Sequence, residues 1–342
     1  MKIAIHGADG DFSERWIEYC EKNHIDFQIV DCFDSKIIKT LENCKVLLWH
    51  WRWIQPESQI VARQIIASVE KMGILVYPNL DTCWHYDDKI GQKYLLEALG
   101  APLITTDIFY SKEKALEFIK NAHFPKVFKL RCGSASTNVK LAKTRKEAER
   151  LCQKSFSSGF KPMGEFFADS KIKIKHTKDM SHFFEKIKRM PKFFIKYYYA
   201  NRIIPRQIGY IYFQDFLPGN DFDTRITIVG DRAFGLIRHA RKDDFRASGS
   251  GSVDYDHKKI DKRFLNIAFE ITEKIGARTL AFDFLLDAFG EPKICEISYC
   301  LPSFRIFESE GYWDKNLVWH PGNYYIEDLI IQDILQELQI KR

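Results

Sequence analysis

Lys129 lies near the end of a short apolar run, Phe124-Pro125-Lys126-Val127-Phe128-Lys129-Leu130, which hands over to Arg131-Cys132-Gly133-Ser134-Ala135-Ser136-Thr137-Asn138. Eight mostly small and polar residues after a strand bare backbone N–H groups and hydroxyls, which suits them to covering phosphates. The lysine precedes the glycine instead of following it, so this is not a P-loop, and a plain surface hairpin loop has the same composition. A second group of candidates lies in the carboxyl-terminal half. Asp283 and Glu296 sit within two apolar runs, Leu280-Ala281-Phe282-Asp283-Phe284 and Lys293-Ile294-Cys295-Glu296-Ile297-Ser298. A carboxylate buried there without a partner is costly. Arg225 and Arg238 lie upstream, where Asp221, Asp223 and Asp244 are candidate structural partners.

Such residues need rigid elements to hold them. Apolar runs at 2–6, 27–30, 45–49 and 74–77 read as buried strands. Helical patterns lie between them at 13–21, 35–41 and 57–71, the last entered at Pro56 and stopped by Gly73. This alternation predicts a parallel sheet covered by helices. The turn His6-Gly7-Ala8-Asp9-Gly10 lacks a full G-x-G-x-x-G and reads either as a bare tight turn or as a ligand contact. Asp87-Asp88-Lys89 opens a further helix, followed by a strand over 103–110 and a helix over 111–122. Residues 208–217 alternate into a strand stopped by Pro218-Gly219. Residues 221–231 and 233–238 form a hairpin, a Gly/Ser loop covers 244–251, and helices span 257–275 and 325–338.

The chain has 342 residues, enough for two or three domains at about 150 residues each. With 45% hydrophobic and 29% charged residues it is not a disordered chain. No apolar run reaches the roughly 18 residues of a membrane span and no signal-peptide core follows Met1, so a cytoplasmic location is expected. Eight scattered cysteines without a C-x-x-C pair argue against a zinc site or a disulfide framework. The net charge of +6 is uneven: residues 171–206 hold eleven Lys/Arg against Asp179 and Glu185, a net +9, which leaves −3 for the remainder. Aromatics interleave these charges, including Tyr197-Tyr198-Tyr199. The segment reads as a solvated lid hairpin or as a contact for an anionic polymer, with nucleic acid the weaker option.

Taken in order, Lys129 before its small-residue loop, Gln214-Asp215-Phe216-Leu217, Asp223-x-Arg225, Arg238, Phe245-Arg246, Asp283 and Glu296-x-Ser298 resemble the ATP-grasp superfamily. RimK-like ligases, which add glutamate to a ribosomal protein, are the nearer resemblance; glutathione synthetases and D-alanine–D-alanine ligases are more distant. The match covers about residues 85–300 apart from an insertion, and the first 80 residues are similar to the domain that precedes the grasp in such enzymes. The resemblance implies an α/β fold in which two α+β subdomains grip ATP behind a Rossmann-like parallel-sheet domain. The expected divisions are 1–85, 86–210 with a basic insertion at about 155–206, and 211–342.

The same resemblance implies ATP and Mg2+ (or Mn2+) as cofactors. Lys89, Lys129, Ser134 and Ser136 would meet the phosphates, Gln214, Phe216 and Leu217 the adenine, and Asp215 the ribose. Asp283, Glu296 and Ser298 would hold the metal, Ser298 standing where relatives generally carry Asn. Arg225 and Arg238 would be the catalytic residues of a ligase that forms an amide through an acyl phosphate. Expected partners are a carboxylate and an amine, as small molecules or as polymer, with a second copy of the chain as a further candidate. Ser248 replaces another frequent Asn. A kinase on the same fold and a non-catalytic nucleotide-binding module are the rival readings. The aromatics Trp49-His50-Trp51-Arg52-Trp53, and those of the tail from Gly311 to Pro321, either face an acceptor pocket or pack in the core.

Overall fold

The computed structural model describes residues 2–52, 55–133, 138–161, 202–241, 245–246, 252–300 and 302–340. Ser134, Ser136, Ser248 and the 171–201 part of the basic segment lie outside these residues. Four strands, β1 (Ile3–His6), β2 (Phe27–Val30), β3 (Val46–Leu48) and β4 (Leu75–Tyr77), form the expected parallel sheet in the order β2-β1-β3-β4. Between them run α1 (Phe12–Lys22), capped by the Asp11 carboxylate, α2 (Ile37–Thr40) and α3 (Pro56–Lys71), with proline in its first turn. The helix expected at 35–41 is a single turn. Its amino end has no side-chain cap and only Ile37 among its residues is buried.

A short α4 (Leu80–Cys83) leads into α5 (Lys89–Ala98), which Asp88 caps by accepting the Gly91 N–H at 3.0 Å. A second sheet follows: β5 (Thr106–Phe109), β6 (Lys126–Lys129), β7 (Val139–Ala142) and β8 (Ile211–Asp215), in the antiparallel order β5-β8-β6-β7. It packs on α6 (Lys112–Asn121) and α7 (Arg145–Ser155) through Ala115, Ile119, Phe128, Cys152 and Phe213. The strand β8, which begins just after residue 210, pairs with β5 and β6 within this sheet.

The third sheet carries β9 (Phe222–Val229), β10 (Arg232–His239), β11 (Val253–Asp254), β12 (Thr279–Leu286), β13 (Pro292–Ser298), β14 (Gly311–Asp314) and β15 (Trp319–Pro321). Its path is β13-β12-β9-β10-β14-β15, with β11 on β10. The helix expected over 257–275 is shortened to α8 (Lys262–Ile275), because Asp261 starts it afresh by accepting the Arg263 N–H; His257–Lys259 form a separate 3-10 turn. The helix α8 buries Phe264, Leu265, Ala268, Ile271 and Ile275 against Ile226, Ile228, Phe282 and Phe284. After α9 (Ser303–Phe307), the last helix α10 (Ile326–Ile340) returns to the first sheet. There Leu329, Ile330, Ile331 and Ile334 join one core with Ile3, Ile5, Val46 and Trp16. At about 1.5–3 kcal/mol per fully buried aliphatic side chain, that contact locks the two ends of the chain together. No helix among the described residues is long and apolar enough to cross a membrane.

Candidate functional site

The second and third sheets face each other across a cleft of about 770 Å³. Strict alternation sorts β12: Leu280, Phe282 and Phe284 enter the core beneath α8, while Ala281, Asp283 and Leu285 line the cleft. Its neighbour β13 breaks the alternation. Asp283 pairs with Glu296 but Phe284 pairs with Ile294, so Cys295 is an extra residue in the ladder. The bulge lets Ile294 and Ile297, three positions apart, both reach the core, and it turns Cys295 and Glu296 together into the cleft. The walls meet at this bulge. The Gln214 amide lies 3.5 Å from the Cys295 carbonyl, and Ile104 and Ile294 bond through their backbones at 3.1 Å.

Two arginines are matched to two aspartates by register. Arg225 stands directly opposite Asp283, and Arg238 directly opposite Asp223. Arg225 is bidentate to Asp283 at 2.7 and 2.9 Å, Arg238 is bidentate to Asp223 at 2.6 Å on both arms, and Arg238 also reaches Asp283 at 2.8 Å. Burial alone would raise the Asp283 carboxyl, but Arg225 and Arg238 outweigh it and hold it well below the usual carboxylate range. Arg225 lines the cleft, whereas Arg238 is buried behind the two aspartates and faces the cavity through Asp283.

Lysines supply the opposite floor. The Lys89 ammonium bonds Glu296 at 2.9 Å and the Gly133 carbonyl at 2.8 Å, while its backbone N–H reaches the Arg131 carbonyl at 2.9 Å. Asp87, which the sequence reading passed over, accepts the Gly133 N–H at 2.7 Å. The Asp87-Asp88-Lys89 turn therefore staples the start of the small-residue loop. Lys129 is different. It is 4% exposed, and among the described residues its ammonium has only the Cys295 carbonyl and thiol in hydrogen-bond range, each at 3.4 Å. Burial works against its charge, and Cys295 and Tyr212, once deprotonated at high pH, together with Glu296 hold it above the ordinary lysine range.

Gln214, Asp215, Phe216 and Leu217 all line the cleft, and so does Ser298. Gln214 is buried and donates to Thr106 at 3.2 Å; Asp215 accepts from Lys126 at 2.5 Å and keeps 38% of its side chain exposed. The Ser298 hydroxyl accepts the Cys300 N–H at 3.3 Å. As donors for a hard divalent ion, Asp283 and Glu296 fit. They are ionised or ion-paired carboxylates, directly opposed on adjacent strands and open to the same cavity.

The aromatic candidates divide. Trp49 and Trp51 are fully buried in the junction with Tyr86 and Tyr299, and Trp313 and Trp319 pack on each other and on His257. They fill core. His50 between the first pair differs: its Nδ1 bonds Asp11 at 2.6 Å, and burial, which would lower the imidazole, is outweighed by Cys300 and Asp11, which hold it up at about 9. No sequence motif joins Asp11, His50 and Cys300.

No protein-family model matches the chain, and no curated protein matches its sequence. Solved structures do. D-alanine–D-alanine ligase from Bacillus anthracis superposes with a TM-score of 0.60 at 12% identity, covering 100% of both chains. A RimK-domain ATP-grasp protein from Sphaerobacter thermophilus gives 0.58 at 13% identity over 98% of this chain and 100% of its own. The biotin carboxylase domain of the Hydrogenobacter thermophilus 2-oxoglutarate carboxylase, solved with MgADP, ADP and bicarbonate, gives 0.59 at 11% identity over 96% and 68%. Three sheets in this order, a cleft between the last two and these superpositions lead to one conclusion: the chain has the ATP-grasp fold.

Proposed function

We propose that the chain is an ATP-dependent ligase that joins a carboxylate to an amine through an acyl phosphate, releasing ADP and phosphate. The observation that carries this reading is Lys129, a buried ammonium on the cleft wall with only neutral groups in hydrogen-bond range among the described residues. Such a charge is costly until an anion completes its shell, and a nucleotide phosphate supplies one. The similar biotin carboxylase domain holds MgADP, which supports the same occupant here.

In this reading Lys129 takes the α/β-phosphates, and Lys89 positions the loop with Ser134 and Ser136 that covers them. The adenine edge lies along Gln214, Phe216 and Leu217, with Asp215 toward the ribose. Asp283 and Glu296 would hold Mg2+ or Mn2+, with Ser298 as a neutral third donor; the ion when bound neutralises phosphate charge. Arg225, fixed by Asp283, needs no reorganisation to meet the charge that develops as a carboxylate attacks the γ-phosphate. Arg238 acts one step back, by fixing Asp283. Positioning and charge suffice for phosphoryl transfer, so no general acid is required for that step. The net charge of the 171–206 segment supports an anionic acceptor, such as a carboxyl-rich peptide or acidic saccharide.

The test is ADP formation measured against pooled amino acids, peptides and uronic acids. A ligase releases phosphate only when a carboxylate and an amine are both present. Transfer of the phosphate onto a hydroxyl acceptor, with no amine required, would instead assign a kinase.

A further inference from the structure

The two walls of the cleft are joined a second time, at the connection from β8 to β9. Leu217-Pro218-Gly219-Asn220 turns there with Gly219 at a φ of +83°, and the Asn220 side chain closes the turn by donating from Nδ2 to the Leu217 carbonyl at 3.2 Å. The same amide reaches across to the carboxyl end of β12. Its Nδ2 also donates to the Leu286 carbonyl at 3.0 Å, and its Oδ1 accepts the Leu286 N–H at 3.0 Å. Both carbonyls can only accept and the N–H can only donate, so the amide has one orientation, with both Nδ2 hydrogens in use. The strand register explains why a side chain takes this place. Pairing of β9 with β12 ends at Thr224 opposite Phe284. Beyond that point Asn220 exchanges both bonds with Leu286 as a residue of a neighbouring strand would, a side-chain amide standing in for backbone.

Asn220 therefore ties one wall to the other. Leu217 ends the segment read as the adenine hinge, which begins on β8 in the second sheet. Leu286 lies three residues past Asp283, on the third sheet's strand β12. Gln214, Leu217, Asn220, Asp283 and Glu296 all line the one cleft. The other junction, at the Cys295 bulge, holds Gln214 beside the same acids. Two staples thus fix the spacing between the hinge and the carboxylates, and Asn220 is the one made by a single side chain.

We propose that Asn220 is a positioning residue that sets the spacing between the adenine hinge and the acids Asp283 and Glu296, so that one nucleotide meets both at once. This rests on the nucleotide reading above. A ligand held at two points gains affinity over its parts only while the spacing of the points matches its own length. With its donors spent on Leu217 and Leu286, Asn220 acts through them. Its loss leaves each half of the site intact and loosens their register, and a misplacement of about 1 Å is enough to weaken a positioned complex.

Two probes separate the halves. Adenosine occupies only the hinge half, whereas a non-hydrolysable ATP analogue with Mg2+ occupies both, and each is titrated into the full-length protein. Asn220→Ala should bind adenosine within about twofold of wild type and the analogue about tenfold more weakly, as for the loss of hydrogen bonds that hold the spacing. Asn220→Gln keeps the amide on a longer stem and guards against a variant that fails to fold; it should keep adenosine affinity and lose about threefold for the analogue. Circular dichroism checks that both variants are folded. Wild-type affinity for the analogue in the folded variants overturns the proposal. An equal loss for adenosine and analogue also overturns it, because Asn220 would then only shape the base pocket. Wild-type protein that binds neither probe removes the nucleotide reading itself and this inference with it.

Discussion

On the β9–β10–β12 wall of the cleft, Asp223, Arg225, Arg238 and Asp283 satisfy one another through register-matched pairs at 2.6–2.9 Å. On the facing β6–β8 wall, Lys129 is as deeply buried, yet its near neighbours are a carbonyl and a thiol at 3.4 Å. The first wall has its electrostatics settled within the fold, while the second leaves a cation that no anionic group among the described residues meets at hydrogen-bond distance. The same kind of residue, a buried charge, is structural and functional on one side and chiefly functional on the other. Substitutions on the two walls should therefore separate stability from turnover.

The largest effect belongs to Asp283→Asn. It removes the carboxylate shared by Arg225 and Arg238 and should cost about 3–5 kcal/mol of unfolding free energy, because breaking a buried pair strands its partners. It should also abolish metal-dependent ADP formation. Urea denaturation and a turnover assay read both; a variant of wild-type stability would mean that the network is not what supports this wall. Asp283 also keeps its contribution in acid. Its folded pKa lies below the ordinary 3.8, so the stabilisation is complete above that value and is lost only as pH falls through the depressed one.

Lys129→Met is the opposite case. The apolar stem remains and a buried charge disappears, so stability should change by less than about 1 kcal/mol. Turnover should fall by about 10²–10³, with weaker binding of a non-hydrolysable ATP analogue, as for loss of one preorganised electrostatic group. Unchanged nucleotide affinity in a folded Lys129→Met protein would erase the contrast between the walls.

Asp87 sharpens the contrast through pH. Its carboxyl is buried beside the loop it staples, and burial pushes it up to about 6 despite Lys89 and the Gly133 N–H. Because the folded value exceeds the unfolded 3.8, the associated stability is fully present below 3.8 and is lost as pH rises through about 6. Asp87→Asn keeps an acceptor for Gly133 and removes the titration. It should gain on the order of 1–3 kcal/mol relative to wild type above pH 6 and match it at low pH. Parallel stability–pH curves for the two proteins would show that Asp87 carries no such strain.

Much of this was legible from residue patterns. The apolar runs around Asp283 and Glu296 marked both as acids carried on strands, and the apolar run before Gly133 marked Lys129 as a strand end. The β7–α7 segment was missed although Thr144-x-x-Glu147 carries a helix-start signature: the Glu147 N–H donates to Thr144 at 3.3 Å, and the Glu147 carboxylate accepts the Lys143 N–H at 2.7 Å. Pairing between strands was harder. Whether Arg238 faces Asp223 or the neighbouring Thr224 depends on hairpin register, which a one-residue slip changes. The Trp49-His50-Trp51 run illustrates the limit in three residues: two indoles fill the junction, and the imidazole between them meets Asp11, which only the folded sheet brings near.

The smallest effect is expected at Cys295, the bulge residue where the walls touch. Burial raises its thiol above the ordinary range, with Lys129 only partly opposing this, so at neutral pH it is an SH group and no counter-ion for the ammonium 3.4 Å away. A neutral thiol is a weak acceptor, and the Cys295 carbonyl at the same 3.4 Å survives any side-chain change. Cys295→Ala should therefore lower stability by about 1 kcal/mol for the small void and shift the KM for ATP by less than about threefold. Were Cys295 instead a thiolate paired with Lys129, its loss would strand a buried cation. The variant would then lose several kcal/mol, as Asp283→Asn does, and the two walls would be alike. Denaturation of Cys295→Ala beside Lys129→Met and the double variant decides between these outcomes: near-additive small stability changes keep Lys129 waiting for an external anion, and a large coupling between the two sites assigns it an internal one.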